Sequence, residues 1–333
     1  MPGSIKKIGI IGDGGWGTTL AIHLSKKKYQ VTLWGAFSDY VEQVKELRFN
    51  QKFLPGIRIP SEVNIVSGLS EAITPNEIIV LAVPSKFINE ILKKIKKFDL
   101  KSKIFLSVIK GIDPKNLLRM SQIIEKELGH IQLAVLSGPT IAMEVAKEIP
   151  SSAVIASKDK KTARLLQKII NSENFRIYTN TDVVGVELGG SIKNIIAIAC
   201  GVCDGLGFGT NTKAAIMTRG LAEMARLGKA LGARGETFFG LTGLGDLVTT
   251  CVNPDSRNRT VGEHLGKGLP IAGIISSMSM VAEGVETSMA VNRLSQKFKV
   301  SMPITREVYN IIYKHKSPIK AVSDLMNRKI KSE

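Results

Sequence analysis

The stretch GGSIKNIIAIACG, residues 189 to 201, sets Lys193 and Asn194 inside an apolar run. At helical spacing the neighbours of Lys193 are Gly189, Gly190, Ile196, Ala197 and Cys200, and no acid stands three or four residues away to pair with it. An ammonium in such surroundings has two readings. It snorkels, its stem packed on the helix and its charge in water. Or it is a proton donor beside an oxygen on which negative charge develops during a reaction. A buried apolar face makes the first costly without a partner.

A second constellation lies at the start of the chain. KIGIIGDGGWGTTLAIHL, residues 7 to 24, carries Gly12, Gly14 and Gly17 in the spacing GxGxxG. The motif follows an apolar strand, opens a helix and is followed by another strand at 30–35, which is the context of a dinucleotide site. Gly12 permits the tight turn, Gly14 lets the backbone approach a pyrophosphate, and Gly17 lets the helix pack on the strand. Free N–H groups near Gly15 and Trp16 then face the anion. The same fingerprint predicts an acid at the end of the second strand to hold a ribose hydroxyl. The chain reads Trp34, Gly35, Ala36, Phe37 there, with neither that acid nor an arginine for a 2′-phosphate. Asp39, the nearest carboxylate in sequence, belongs to the next helix. These residues do not separate NAD from NADP.

Other polar groups fall where a ligand of an open α/β sheet binds, beyond the carboxyl ends of the strands. Lys110 ends the strand FLSVIKG, and SGPT (137–140) ends the next one. Pro139 suits a first helical position, leaving nearby N–H groups and the Thr140 hydroxyl for an oxygen-rich ligand. Farther on, NPDSRNR (253–259) offers Asp255 and Ser256 as caps, with Arg257 and Asn258 at the start of a helix. Helix N-terminal amides and an arginine fork make a phosphate site. An exposed strand-end lysine, a plain turn and a capped basic surface helix are the alternatives.

The elements that must position these groups fall into two halves. Strands are expected at 7–12, 30–35, 63–67, 77–84, 103–111, 132–138, 152–157 and 175–180, with helical patterns between most of them. Such alternation means βαβ units and a largely parallel, doubly wound Rossmann-type sheet covered on both faces. Beyond about residue 182 the strand signals stop. Helices are expected over 185–204 and 212–232, the second closing at Gly232. The expected organisation is a dinucleotide-binding domain over 1–181 and an all-helical substrate-binding and catalytic domain over 182–333.

The 333 residues, 44% hydrophobic and 23% charged, have the composition of a globular protein rather than a disordered one. No apolar run reaches the roughly 18 residues that a membrane span requires. Asp13 and the glycines cut short the N-terminal apolar run, so it reads as structure rather than a signal peptide, and the protein as cytoplasmic. A net charge of +17 asks for anionic partners or describes a lysine-rich surface; the lysine runs are not interleaved with aromatics, so nucleic acid is not the expected partner. Three cysteines argue for a reducing compartment. Cys200 and Cys203 form a CxxC, but within an apolar helical pattern they read as buried thiols, with no metal expected.

Taken together, the segments IGDGGWGTTLA, VIKGI, LSGPTIAMEVA, GVELGGSIKNIIAIACG, TRGLAEMARLGKALGA, GLTGLGDLVTTC, SRNR and AEGVETS resemble the bacterial NAD(P)-dependent sn-glycerol-3-phosphate dehydrogenases. They run from Ile11 to about residue 290 in family order. The resemblance implies reversible hydride transfer between a nicotinamide and C2 of dihydroxyacetone phosphate, supplying glycerol 3-phosphate for phospholipid synthesis. It implies NAD or NADP as cofactor, a small phosphate substrate and a homodimer. Carried over by motif, the catalytic lysine falls on Lys193. Substrate contacts fall on Lys110, Gly138, Thr140, Lys193, Asp246, Ser256, Arg257 and Asn258, the last three around the phosphate. Cofactor contacts fall on Gly15, Trp16, Lys110, Ala142, Arg257, Val281 and Glu283, beside the turn Gly12, Gly14 and Gly17. Ala36 departs from the histidine or arginine that many relatives carry beside the adenosine ribose, so an NADP preference does not carry over. The rival readings are another Rossmann-plus-helical dehydrogenase acting on a β-hydroxyacid or sugar acid and, from a different class, a redox-sensing nucleic-acid binder.

Overall fold

The computed structural model describes residues 5–278 and 281–330. The chain divides into two compact units, Met1–Ile109 with Met120–Val183, and Lys110–Arg119 with Val184–Glu333. Where sequence patterning suggests a single cut after residue 181, the structure cuts after Val183 and assigns residues 110–119 to the second unit. Packing explains the excursion: Ile112 belongs to the helical core, and Arg293 Nη1 donates to the carbonyl of Pro114 at 2.7 Å.

The first unit carries strands β1 (Lys7–Ile11), β2 (Gln30–Trp34), β3 (Phe49–Asn50), β4 (Leu54–Arg58), β5 (Asn64–Val66), β6 (Ile78–Leu81), β7 (Ile104–Ser107), β8 (Gln132–Ser137), β9 (Ser151–Ala156) and β10 (Phe175–Asn180). Its helices are α1 (Gly15–Lys26), α2 (Ser38–Leu47), α3 (Leu69–Ile73), α4 (Ile88–Ile95), α5 (Met120–Leu128), α6 (Ala142–Ala146) and α7 (Lys160–Ile170). Eight strands form one sheet in the order β10-β9-β8-β7-β6-β1-β2-β5. The chain runs outward from β1 to β2 on one side and to β6 on the other. That reversal puts the topological switch, where doubly wound sheets bind ligands, at the carboxyl end of β1.

All eight expected strands form. Three details differ. β8 and β9 pair antiparallel, so β9 and β10 run against the rest of the sheet. β3 and β4 make a separate short hairpin that the patterning does not signal. β7 ends at Ser107, so Lys110 lies three residues past the strand, already in the second unit.

The second unit is helical: α8 (Val183–Gly205), α9 (Thr210–Ala230), α10 (Asp246–Val252), α11 (Arg257–Gly266), α12 (Ile271–Ser277), α13 (Glu283–Lys297), α14 (Pro303–Lys314) and α15 (Pro318–Met326). Gly232 follows α9 with φ +87°, the left-handed stop expected of it. α8 corrects one expectation. Glu187 and Lys193 interrupt its apolar run, yet by length and mean hydropathy it would suffice to cross a membrane. With 94% of its apolar window buried, it is the core helix of its unit. Among the described residues no other helix meets that test.

Glycines let α8 and α11 touch backbone to backbone. A Cβ on Gly201 would lie 1.9 Å from the Arg259 carbonyl oxygen, and one on Gly262 would lie 2.0 Å from that of Ile198. Contacts so short leave no room for a methyl group. Gly262→Ala is therefore expected to destabilise the second unit by about 3 kcal/mol, the upper range for overpacking a core. Thermal denaturation followed by circular dichroism checks this, an unchanged midpoint being the contrary result.

Candidate functional site

In the first unit the glycine-rich turn joins β1 to α1. Gly12 has φ +121°, and its Cβ position lies 2.8 Å from the Ala82 carbonyl, so the turn excludes any other residue there. Gly17 passes 1.9 Å from the Gly12 oxygen, measured from its own Cβ position. Around Gly14 the space is open, with nothing within 4 Å of that position. Gly14 is also the N-cap of α1; no side chain caps the helix and its first turn carries no acid. Open space and uncapped amides are what a pyrophosphate requires, so these residues fit a dinucleotide.

Asn50, buried, pins the turn by donating from Nδ2 to the Asp13 carbonyl and the Thr18 hydroxyl, both at 2.7 Å. Its Oδ1 accepts from the Tyr40 hydroxyl at 2.6 Å. Trp16 turns its ring edge-on to Phe175 at 6.1 Å, into the unit's own packing. Ala142 opens α6, and its carbonyl accepts from the Thr19 hydroxyl at 3.0 Å. The strand-end turn at SGPT holds Gly138 at φ +140°, with Thr140 Oγ1 donating to the Gly138 carbonyl at 3.1 Å. Pro139 is not at a first helical position as its sequence suggests: α6 begins only at Ala142. Ala36 and Phe37 follow β2 and are exposed.

In the second unit a charged cluster forms around one carboxylate. Leu241–Gly245 makes a π-helical turn, a feature found mostly at functional sites, and Asp246 follows it as the first residue of α10. Gly189 of α8 lets that turn close in, since a Cβ there would meet the Thr242 carbonyl oxygen at 2.4 Å. One turn farther along α8, Lys193 Nζ donates to Asp246 Oδ1 at 2.7 Å and to the Thr250 hydroxyl. Lys110 Nζ donates to the other oxygen, Asp246 Oδ2, at 2.6 Å. Asp246 is 2% exposed, so one buried carboxylate bridges two cations and the trio keeps a net positive charge. Lys193, which has no partner on its own helix, finds one 53 residues away.

Burial lowers the Lys193 ammonium to about 8; the charge of Lys110 pushes the same way, and Asp246 opposes both. That value suits a group that must hold a proton at neutral pH and release it on demand. Thr250 is not among the groups that the sequence motifs single out. Its i, i+4 relation to Asp246 on a helix was the available signal, and its hydroxyl also donates to the Asp246 carbonyl at 2.7 Å.

At the start of α11 one of the two expected caps forms; Asp255 precedes it, its N–H donating to Asn253 Oδ1 at 3.0 Å. Ser256 is the N-cap, its hydroxyl accepting from the Arg259 N–H at 3.4 Å. The side chains of Arg257 and Asn258 are partly engaged with the segment that opens α13. Arg257 Nη1 donates to the Val281 carbonyl at 2.7 Å, and Asn258 Oδ1 accepts from the Gly284 N–H at 2.9 Å. Glu283 exerts its charge on Arg257. Arg257, Asn258, Val281 and Glu283 are thus brought together, while Lys110, Lys193 and Asp246 form their own cluster. A further pair that the sequence reading missed, Arg259 Nε to Asp204 Oδ2 at 2.6 Å, ties α11 to α8.

Cys200, Cys203 and Cys251 are all buried free thiols. Burial pushes Cys203 up to about 12, and a hydrogen bond with Cys251 together with burial raises Cys200. Neither is therefore a ready nucleophile. Among the described residues no group of three or more His, Cys, Asp and Glu side chains is arranged to hold a metal.

Comparison with known proteins shows the family of the chain. Family models described as the NAD-dependent glycerol-3-phosphate dehydrogenase N-terminus and C-terminus match residues 7–163 and 182–323. The chain is 48% identical over 327 residues to a glycerol-3-phosphate dehydrogenase [NAD(P)+] of Thermoanaerobacter sp. (strain X514), covering 98% of each. It is 46% identical over 329 residues to the same enzyme of Chlorobium chlorochromatii (strain CaD3), covering 98% of this chain and 99% of the relative. The crystal structure of a glycerol-3-phosphate dehydrogenase from Coxiella burnetii superposes with a TM-score of 0.94 at 36% identity, over 97% of this chain and 99% of that one.

Proposed function

Since the chain belongs to the NAD-dependent glycerol-3-phosphate dehydrogenase family, we propose that it interconverts dihydroxyacetone phosphate and sn-glycerol 3-phosphate with NAD(H) or NADP(H), in the direction that feeds glycerophospholipid synthesis. The observation that carries this reading is the carboxylate of Asp246 held between Lys193 and Lys110.

The turn of Gly12, Gly14, Gly15, Trp16 and Gly17 would hold the cofactor's phosphates through its amides, with Ala142, Val281 and Glu283 as further contacts. When bound, the reduced nicotinamide supplies a hydride to C2. Lys193 supplies the proton: negative charge builds on the carbonyl oxygen, the ammonium stabilises it and then protonates it, and the amine is reprotonated from water. Asp246 keeps Lys193 charged until that moment and fixes its direction through Oδ1. Lys110, on Oδ2, adds positive potential toward the same oxygen and lowers the cost of releasing the proton. Gly138 and Thr140 would meet the substrate at the strand-end turn, and Ser256, Arg257 and Asn258 would hold its phosphate. In the reverse direction the neutral amine of Lys193 accepts the alcohol proton. A homodimer in the cytoplasm completes the proposal, on the same family resemblance.

The purified protein is expected to oxidise NADH or NADPH when dihydroxyacetone phosphate is added, read as loss of nicotinamide absorbance. Turnover of a β-hydroxyacid or sugar acid with dihydroxyacetone phosphate inert would overturn the reading.

A further inference from the structure

The dinucleotide fingerprint calls for an acid at the end of the second strand, and β2 is followed by Gly35 and Ala36 instead. Gly35 is buried, and the reason it has no side chain is legible in its surroundings. A Cβ built on it would lie 2.4 Å from Asp13 Oδ2, 2.7 Å from Asp13 Cγ and 2.5 Å from Val41 Cγ2. The carboxylate of Asp13 therefore occupies the volume into which a side chain at the end of β2 would project. Asp39, nearest in sequence, is exposed in the first turn of α2.

The position of Asp13 is fixed from the backbone. Its carbonyl accepts from Asn50 Nδ2 at 2.7 Å and from the Thr18 hydroxyl at 3.2 Å. Burial raises the Asp13 carboxyl above its ordinary value, while its own backbone N–H, which it accepts, and the charge of Lys52 pull it back toward the ionised form. A carboxylate held in this way beside the carboxyl end of β2 has lone pairs to offer a diol.

We propose that Asp13 is the specificity-determining residue for the nucleotide: its carboxylate takes the place of the missing strand-end acid, accepts from the adenosine ribose hydroxyls of NAD, and repels the 2′-phosphate of NADP. The inference rests on the reading of this chain as a nicotinamide-dependent dehydrogenase and goes beyond it, since that reading leaves the two cofactors unseparated. A 2′-phosphate would bring about two negative charges to a carboxylate in a partly desolvated site, where like charges repel strongly. Ala36 carries no charge, and Lys52, whose charge acts on Asp13, is the rival influence on this corner.

The test is binding without turnover. Dissociation constants for NADH and NADPH would be measured by isothermal titration calorimetry on the wild type, Asp13→Asn and Lys52→Met. We expect the wild type to bind NADH on the order of 30-fold tighter than NADPH, and Asp13→Asn to bring the two within about threefold, the loss of a charge-assisted hydrogen bond and of the repulsion together. Asn keeps the shape of Asp, and the wild-type ratio needs no variant at all. Wild-type constants within about threefold of each other would overturn the inference alone. So would a ratio unchanged in Asp13→Asn, or a preference for NADPH that Lys52→Met removes. A wild type that binds neither nucleotide would overturn the dehydrogenase reading along with it.

Discussion

Lys193→Met is expected to fold, to bind NADH as the wild type does, and to lose on the order of 10³-fold or more in kcat for dihydroxyacetone phosphate reduction. Methionine keeps most of the stem that packs among the α8 side chains and removes only the proton and its charge. Asp246 keeps Lys110 on Oδ2, so the variant does not strand a buried carboxylate, and the loss is one of chemistry rather than of stability. The same group sets the pH dependence. With Lys193 lowered to about 8, the donor is charged below that pH and neutral above it. Reduction therefore loses kcat/KM as pH rises through that value, by about tenfold per unit once the amine is mostly neutral, and oxidation of glycerol 3-phosphate gains over the same interval. Asp246→Asn removes the charge that holds the proton on Lys193, so the limb moves to lower pH. Pre-steady-state hydride transfer measured against pH checks both statements. A folded Lys193→Met enzyme within about tenfold of wild type, with its pH limb unchanged, would transfer the proton donor's role to Lys110.

What the sequence reveals of this arrangement, and what it hides, follows from how local each signal is. The eight strands of the main sheet are legible because each is a short β-branched run bounded by turn residues. Ser256 is legible as a cap because capping is settled within one turn of helix. β3 is not, being two residues long, Phe49 and Asn50, with no period to detect. The reversal of β9 is hidden for a different reason: buried strands carry the same apolar run whichever way they point, so direction leaves no mark on Ser151–Ala156. Lys193 is conspicuous because it is a cation among apolar residues, yet its partner is not, since Asp246 lies 53 residues away and Lys110 another 136 from that aspartate. Only folding brings them together. Asp13 is the sharpest case. It is printed in the middle of the glycine motif, but that its carboxylate fills the space above Gly35 is a fact of the turn's three-dimensional path.

Arg257→Ala is expected to cost on the order of 10²-fold or more in kcat/KM for dihydroxyacetone phosphate, while plain dihydroxyacetone, expected to be nearly inert with the wild type, loses little further. The phosphate is remote from the reacting carbon. A dianion held by an arginine and by the amides at the start of α11 contributes binding that orients C2, and a substrate without that dianion cannot draw on it. The structure adds a complication that the experiment can separate. Arg257 Nη1 also donates to the Val281 carbonyl, and Glu283 lies close enough to act on its charge, so the alanine variant loosens the segment that opens α13 as well. Were that scaffolding the whole contribution, both substrates would lose the same factor and the preference for the phosphorylated one would survive intact. If the guanidinium binds the phosphate, the preference itself must collapse, and inorganic phosphate must weaken as a competitive inhibitor in the variant. The ratio of the two specificity constants, wild type against Arg257→Ala, therefore reads phosphate recognition free of any general damage. An undiminished ratio would take Arg257 out of the phosphate site and leave Ser256, Asn258 and the helix amides to hold the dianion.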